Sequence, residues 1–315
     1  MSSSIFFCPL HHEGVLGVRG TDAVKFLQGQ LTCNLNYMSY TRASLGARCT
    51  QKGRMQSSFR TLLQGDGVLL SMATELLGPQ LADLKKYSVF FRSKLTDESA
   101  AWKRFGLSNA DKALEILGLE LPEEANSVVR TNTLIAVRVS ARRAELWVPI
   151  EQAESVLSQL ATQMRQAILN EWLLGQIRAG IGQVMPQTRE LFIPQMLNLQ
   201  SIGGVSFKKG CYTGQEIVAR MQYLGKIKRR LYRLSLNSVE IPEPGTKLFL
   251  PSHNSSIGEV VIAAKSDQSI ELLAVMKAAD AERSEVHLDS LESPRVRLHL
   301  LDLPYQLDHN RDIQR

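Results

Sequence analysis

Cysteine is scarce in this chain of 315 residues. There are four (Cys8, Cys33, Cys49, Cys211), with no C-x-x-C pair and no histidine within a few residues of the last three. That argues against a disulfide framework or a zinc site built on spaced pairs. Cys8, His11 and His12 lie together but have no fourth ligand nearby in the sequence. No apolar run approaches the roughly 18 residues of a membrane span. The opening Met1–Phe7 lacks the basic and long apolar regions of a secretory signal. The expected setting is therefore cytoplasmic, with reduced thiols and no membrane partner. Low-complexity tracts and fixed-period repeats are also missing, and 44% hydrophobic against 22% charged residues excludes a disordered chain. The length suits two domains.

Acidic residues are nearly missing from one segment. Between Lys208 and Arg233 eight cations (Lys208, Lys209, Arg220, Lys226, Lys228, Arg229, Arg230, Arg233) face one acid, Glu216, whereas the whole chain carries a net charge of only +6. From residue 234 onward 8 basic residues meet 13 acidic ones. A compact basic segment beside an acidic tail points to an anionic partner at one place.

Hydrophobic periodicity gives the rest of the organisation. Thr21-Asp22 caps a helical pattern through Ala23–Leu27, and Phe59–Leu63 and Val68–Met72 flank a glycine-bearing hairpin turn. Thr74 opens an amphipathic run to Tyr87, and Val89-Phe90-Phe91 reads as a strand. The β, α, β order recurs with a helix over 108–117, strands over 134–139 and 145–149, and a long helix over 151–167. After Arg233 come short strands over 231–236, 247–250, 258–264, 270–276 and 295–300, set off by Pro242, Pro244-Gly245 and Asn254. The fold class expected is α+β, with a two-lobed region over 1–233 and a small all-β barrel over 234–315.

Residues 171–233 hold the chemistry. A helix from Glu171 ends at Gly180, and about 20 residues of loop follow, long enough to be a structured functional loop. Cys211 sits between Gly210 and Gly214, behind Lys208 and Lys209 and before the helical pattern Ile217, Val218, Met221. A helix N-terminus and nearby ammonium groups favour a thiolate there. The alternative is a small buried residue in a glycine-shaped turn. Trp172 is either a stacking plane for a ligand or a core residue of its helix. Tyr223 to Arg233, including Lys226, Lys228, Arg229 and Arg230, interleaves aromatics with cations. It reads either as a nucleic-acid surface or as a solvated strand edge.

The run Phe192-Ile193-Pro194-Gln195, Asn198-Leu199-Gln200, Ile202-Gly203-Gly204 and Phe207 through Arg220 resembles the signature of the YgfZ family. Lys209-Gly210-Cys211-Tyr212-Thr213-Gly214-Gln215-Glu216 matches it in full. These are folate-binding proteins linked to iron–sulfur enzyme function and tRNA modification. Their fold is similar to that of the glycine cleavage aminomethyltransferase, with ferredoxin-like lobes around a central cleft and a C-terminal β-barrel. The resemblance implies tetrahydrofolate or a derivative as cofactor and Cys211 as the reactive group. It implies a cofactor-binding set of Trp172, Gln195, Asn198, Lys209, Gly210, Tyr212, Gly214, Gln215 and Glu216. A second tryptophan of the family is matched here by Glu13, with Phe6 or Phe7 as substitutes. Implied partners are folate, iron–sulfur enzymes or their assembly proteins, and tRNA, contacted directly or affected through them.

An aminomethyltransferase also needs a titratable group at the reacting nitrogen. Lys52 to Ser58, the matching stretch, has no Asp or Glu, so glycine-cleavage activity is not expected. A single cysteine cannot hold an iron–sulfur cluster alone, so a cluster role would borrow ligands from a partner or second subunit.

Overall fold

The computed structural model describes residues 5–225, 227–238, 240–250, 255–281, 286–288 and 297–307. The chain divides into two compact units, Met1–Gly46 with Phe59–Trp172, and Ala47–Ser58 with Leu173–Arg315. This division differs from the boundary expected at residue 233. The segment 173–233 groups with the C-terminal strands because its loop and helix bond to them and to the hairpin tip, as set out below.

The first unit runs β1 (Phe6–Pro9), β2 (Glu13–Arg19), α1 (Ala23–Gln28), β3 (Ser44–Cys49), β4 (Met55–Gln64), β5 (Gly67–Ala73), α2 (Thr74–Lys85) and β6 (Lys94–Asp97). It continues with β7 (Trp102–Ser108), α3 (Ala110–Ile116), β8 (Val128–Arg130), β9 (Ile135–Ser140), β10 (Arg143–Pro149), α4 (Ala153–Ala161) and β11 (Arg165–Gln166). Two sheets result, ordered β3-β4-β5-β2-β6 and β11-β1-β7-β10-β9-β8. Alternation along each strand divides its side chains between two faces. Leu16, Val18, Val68 and Leu70 meet Phe26 and Leu77 of the helices. Leu107, Leu146 and Val148 meet Ala110, Leu114 and Leu160. The other faces share a core of Val15, Leu62, Leu69, Ile135, Val137 and Trp147. The sheets are therefore stacked, with a helix layer on each outer side.

Two expectations need correction. Val89-Phe90-Phe91 is not a strand, because a three-residue 3-10 turn covers Ser88–Phe90 and the strand begins only at Lys94. The Phe91 ring packs 5.3 Å from that of Phe26, and Ser88 Oγ donates to Lys85 O, so the end of α2 is extended into a turn. The long helix over 151–167 is the nine-residue α4, after which the chain turns to pair Arg165 and Gln166 with Phe6 and Phe7.

The second unit holds the hairpin tip between β3 and β4, most of α5 (Leu169–Arg178), α6 (Gln215–Tyr223), and β12 (Arg229–Leu236). It ends with β13 (Lys247–Phe249), β14 (Gly258–Lys265), β15 (Ile270–Lys277), α7 (Ala278–Ala281), β16 (His287–Leu288) and β17 (Leu298–Leu301). The last six strands form an antiparallel sheet, β16-β13-β14-β15-β12-β17, and an isolated bridge between His287 and Arg297 joins its two edges. The all-β region expected after Arg233 is present as this curled sheet around Leu234, Leu248, Val260 and Leu272. Asn254, expected in a turn, and Arg295 and Val296, expected in a strand, lie outside the described residues. Among the described residues no helix is long and apolar enough to cross a membrane.

Candidate functional site

Two glycines fix the Cys211 loop. Gly53 closes the β3–β4 hairpin tip at φ +70°, its N–H donating to Thr50 O at 2.9 Å. Gly214 is the N-cap of α6 at φ +84°. A Cβ on Gly214 would lie 2.3 Å from Thr50 O and 3.1 Å from Gly53 Cα, and one on Gly53 would lie 3.0 Å from Ile217 Cβ. The smallness of Gly214 is therefore used by the chain's own hairpin tip, whereas a Cβ on Gly210 would meet nothing within 4 Å.

Polar side chains lock the same assembly. Gln215 Oε1 accepts from Tyr212 N at 3.2 Å, and Gln215 N donates back to Tyr212 O at 3.1 Å. Gln195, fully buried, donates through Nε2 to Val218 O at 2.7 Å and so ties the 194–197 turn to α6. Asn198, also fully buried and at φ +53°, donates to Leu231 O at 3.0 Å and to Tyr305 Oη at 3.5 Å. Tyr305 Oη in turn donates to Gly180 O at 2.7 Å, and burial pushes its phenol up to about 12 despite the Asn198 bond. Among the described residues no donor reaches the amide oxygens of Gln195 and Asn198, so an N–H or O–H from elsewhere would satisfy them. These two residues are struts of the loop with one open acceptor each.

Cys211 is exposed, and Cys8, Cys33 and Cys49 are buried. Burial pushes Cys49 up to about 12 and, with the Glu171 charge, Cys8 up to about 11. The position expected for Cys211 at a helix start is corrected: α6 begins at Gln215, and the first-turn setting belongs to Gln215 and Glu216. Lys209 is mostly buried, with its Nζ 5.0 Å from the centre of the Tyr212 ring, a cation–π distance, and Lys208 is exposed.

Trp172 belongs to the first unit and has 1% of its surface exposed. The Arg143 guanidinium lies 3.9 Å from its ring centre and donates to its carbonyl at 2.9 Å. Gly106 packs so closely that a Cβ there would lie 2.4 Å from the indole. As arranged, the indole is covered, the core alternative of the two that the sequence leaves open. Burial lowers Arg143 to about 9 against the favourable charge of Glu145. Glu13, which the resemblance sets against a tryptophan, pairs with buried Arg104 at 2.5 Å. Arg104 pairs with Glu145 at 2.8 Å, Glu145 with Arg60 at 3.1 Å, and the Arg104 guanidinium lies 4.3 Å from the Trp147 ring centre. Sequence reasoning missed this network; its only signal was charge on strands otherwise apolar. It also missed Glu190, held at φ +62° and accepting from Gln56 Nε2 at 3.3 Å, which brings a carboxylate beside the acid-free stretch 52–58.

Two cations of the basic segment are paired within the protein. Arg229 pairs with Glu259, which also holds Lys247 at 3.1 Å. Arg230 is buried, and Arg233 shares Glu271 with Arg178, each at 2.7 Å. Lys228 is exposed, and Lys226 lies outside the described residues. Of the cations expected at 226–233, Lys228 is thus open, whereas Arg229 and Arg233 are each paired with an acid of a neighbouring strand.

No family model matches the sequence. The crystal structure of glycine cleavage system aminomethyltransferase T from Bartonella henselae matches 96% of this chain and 86% of its own, with a TM-score of 0.74 at 14% identity. The chain has an aminomethyltransferase-like fold. Heterotetrameric sarcosine oxidase from Corynebacterium sp. U-96 matches 51% of this chain and 83% of its own at 14% identity, with a TM-score of 0.36. The regulatory subunit of aspartate kinase from Thermus thermophilus matches 52% of this chain and 99% of its own at 8% identity, with a TM-score of 0.26. Among the described residues no group of three or more His, Cys, Asp or Glu is placed to hold a metal ion.

Proposed function

We propose that this chain is a folate-binding accessory protein of the YgfZ type that supports assembly or repair of iron–sulfur enzymes, and through them the modification of some tRNAs. The observation that carries the reading is the presentation of Cys211, an exposed thiol on a loop fixed from behind by Gly53, Gly214, Gln195 and Gln215. Lone thiols held this way can engage a partner's sulfur or iron, with the remaining ligands coming from the partner. The strand orders β6-β2-β5-β4 and β11-β7-β10-β9, setting aside β1 and the edge strands β3 and β8, support reading both sheets of the first unit as ferredoxin-like. Folate enters through the resemblance and the aminomethyltransferase-like fold. Trp172 as arranged does not fit a stacked pterin, since Arg143 covers its ring, so no role is assigned to it beyond the core. Direct tRNA contact is the weaker alternative, because Arg229 and Arg230 are engaged within the protein.

The test is complementation of a strain deleted for this gene, read as iron–sulfur enzyme activity. Cys211→Ala is expected to restore no more than the empty strain, with folding unchanged. Full restoration removes the thiol from the reading. Anaerobic calorimetry with tetrahydrofolate is expected to give saturable binding, and its failure removes folate while leaving the cysteine role in place.

A further inference from the structure

The turn after α2 is the most exposed apolar feature among the described residues. Phe90 has 93% of its surface open, Val89 73% and Tyr87 45%. An isolated exposed apolar residue is ordinary on a protein surface, but three on one turn are not. The turn is also held firmly. Phe91 N donates to Ser88 O at 2.9 Å, Asp22 Oδ2 accepts from Arg92 N at 2.8 Å, and Asp22 N donates to Arg92 O at 3.3 Å. With Phe91 anchored on Phe26, Phe90 has no room to fold back and stands outward.

Cations outnumber acids beside it. Lys85, Lys86, Arg92 and Lys94 are all exposed, and of the two acids beside them Asp83 pairs with Lys86 at 3.1 Å while Asp22 is bonded to backbone. An exposed apolar turn flanked on both sides by exposed cations has the composition that an anionic bilayer surface binds, apolar side chains for the acyl boundary and cations for the phosphates.

We propose that residues 85–94 are a peripheral membrane contact, in which Val89 and Phe90 enter an anionic bilayer while Lys85, Lys86, Arg92 and Lys94 engage its headgroups. The absence of any spanning helix among the described residues is compatible with a surface contact. The proposal stands apart from the Cys211 reading, and neither depends on the other.

The experiment is cosedimentation of the full chain with phosphatidylcholine vesicles, with and without phosphatidylserine. The expected result is partition onto the anionic vesicles alone, weakened by salt. Phe90→Ser, an exposed substitution that leaves the melting temperature unchanged, should weaken partition about tenfold or more. Lys86→Glu with Arg92→Glu should abolish it. Phe90→Trp should be quenched by brominated lipid. Wild-type protein that stays in the supernatant, or Phe90→Ser that binds as wild type, overturns the proposal and assigns the tip to a protein partner with an acid-rimmed pocket.

Discussion

Trp172 and Cys211 are the two residues that the sequence singles out most strongly, and the fold treats them in opposite ways. Trp172 is covered by Arg143 and Gly106 inside the first unit. Cys211 is carried outward on a loop whose neighbours do the packing for it. The lesson is that a residue type with two readings is decided by what lies across from it. An indole needs a partner on each side to be core, and a thiol stands outside when its neighbours, here Lys209 and Tyr212, take the buried places.

Removing the indole should give the largest effect. Trp172→Ala is expected to cost about 3–5 kcal/mol of stability, since the cavity between Arg143 and Gly106 cannot collapse fully. Denaturant unfolding measures this, and a loss below about 1 kcal/mol would return Trp172 to the list of ligand-facing residues. Gly214→Ala comes next. It forces a side chain into a positive-φ position with Thr50 O only 2.3 Å from the new Cβ, and the strain alone is about 1–3 kcal/mol. The same variant should shift Cys211 and lower complementation, even where enough folded protein remains.

Acid should separate the second unit's charged frame from its thiol loop. Burial raises the Glu271 carboxyl, but bonds and charge from Arg178 and Arg233 more than reverse this and hold it below its ordinary value. Its contribution is therefore present above the unfolded carboxylate pKa and is lost as pH falls through the depressed folded value. Glu271→Gln should cost about 1–2 kcal/mol at neutral pH and flatten that acid limb in thermal melts. The smallest change in stability should come from Cys211→Ser, within about 0.5 kcal/mol as for exposed sites generally. A thiol titration sharpens the contrast: one of the four cysteines should react quickly in the native protein, and all four after unfolding.

Periodicity made the element order legible, and α1, α2, α5, α6 and β12 to β15 lie within a few residues of where apolar spacing places them. It failed where a tertiary contact overrode local pattern. Val89-Phe90-Phe91 has strand composition, yet Phe91 anchors on Phe26 and the two residues before it are left outside. The site was legible as a loop around Cys211 because glycines at fixed positions leave a trace in sequence. The neutralisation of Arg229 by Glu259 and of Arg233 by Glu271 was not, since those acids lie 30 and 38 residues away along the chain. A count of charges along one segment cannot register partners supplied by strand pairing.

The contact between Gly53 and Gly214 has a consequence for how this surface can diversify. Because main chain meets main chain there, the thiol's position is independent of which side chains stand at the exposed positions 51, 52, 208 and 216. Substitutions there can therefore change the charge and shape around the sulfur while it stays where it is. Surface character and thiol placement are separable traits, written in different parts of the same loop.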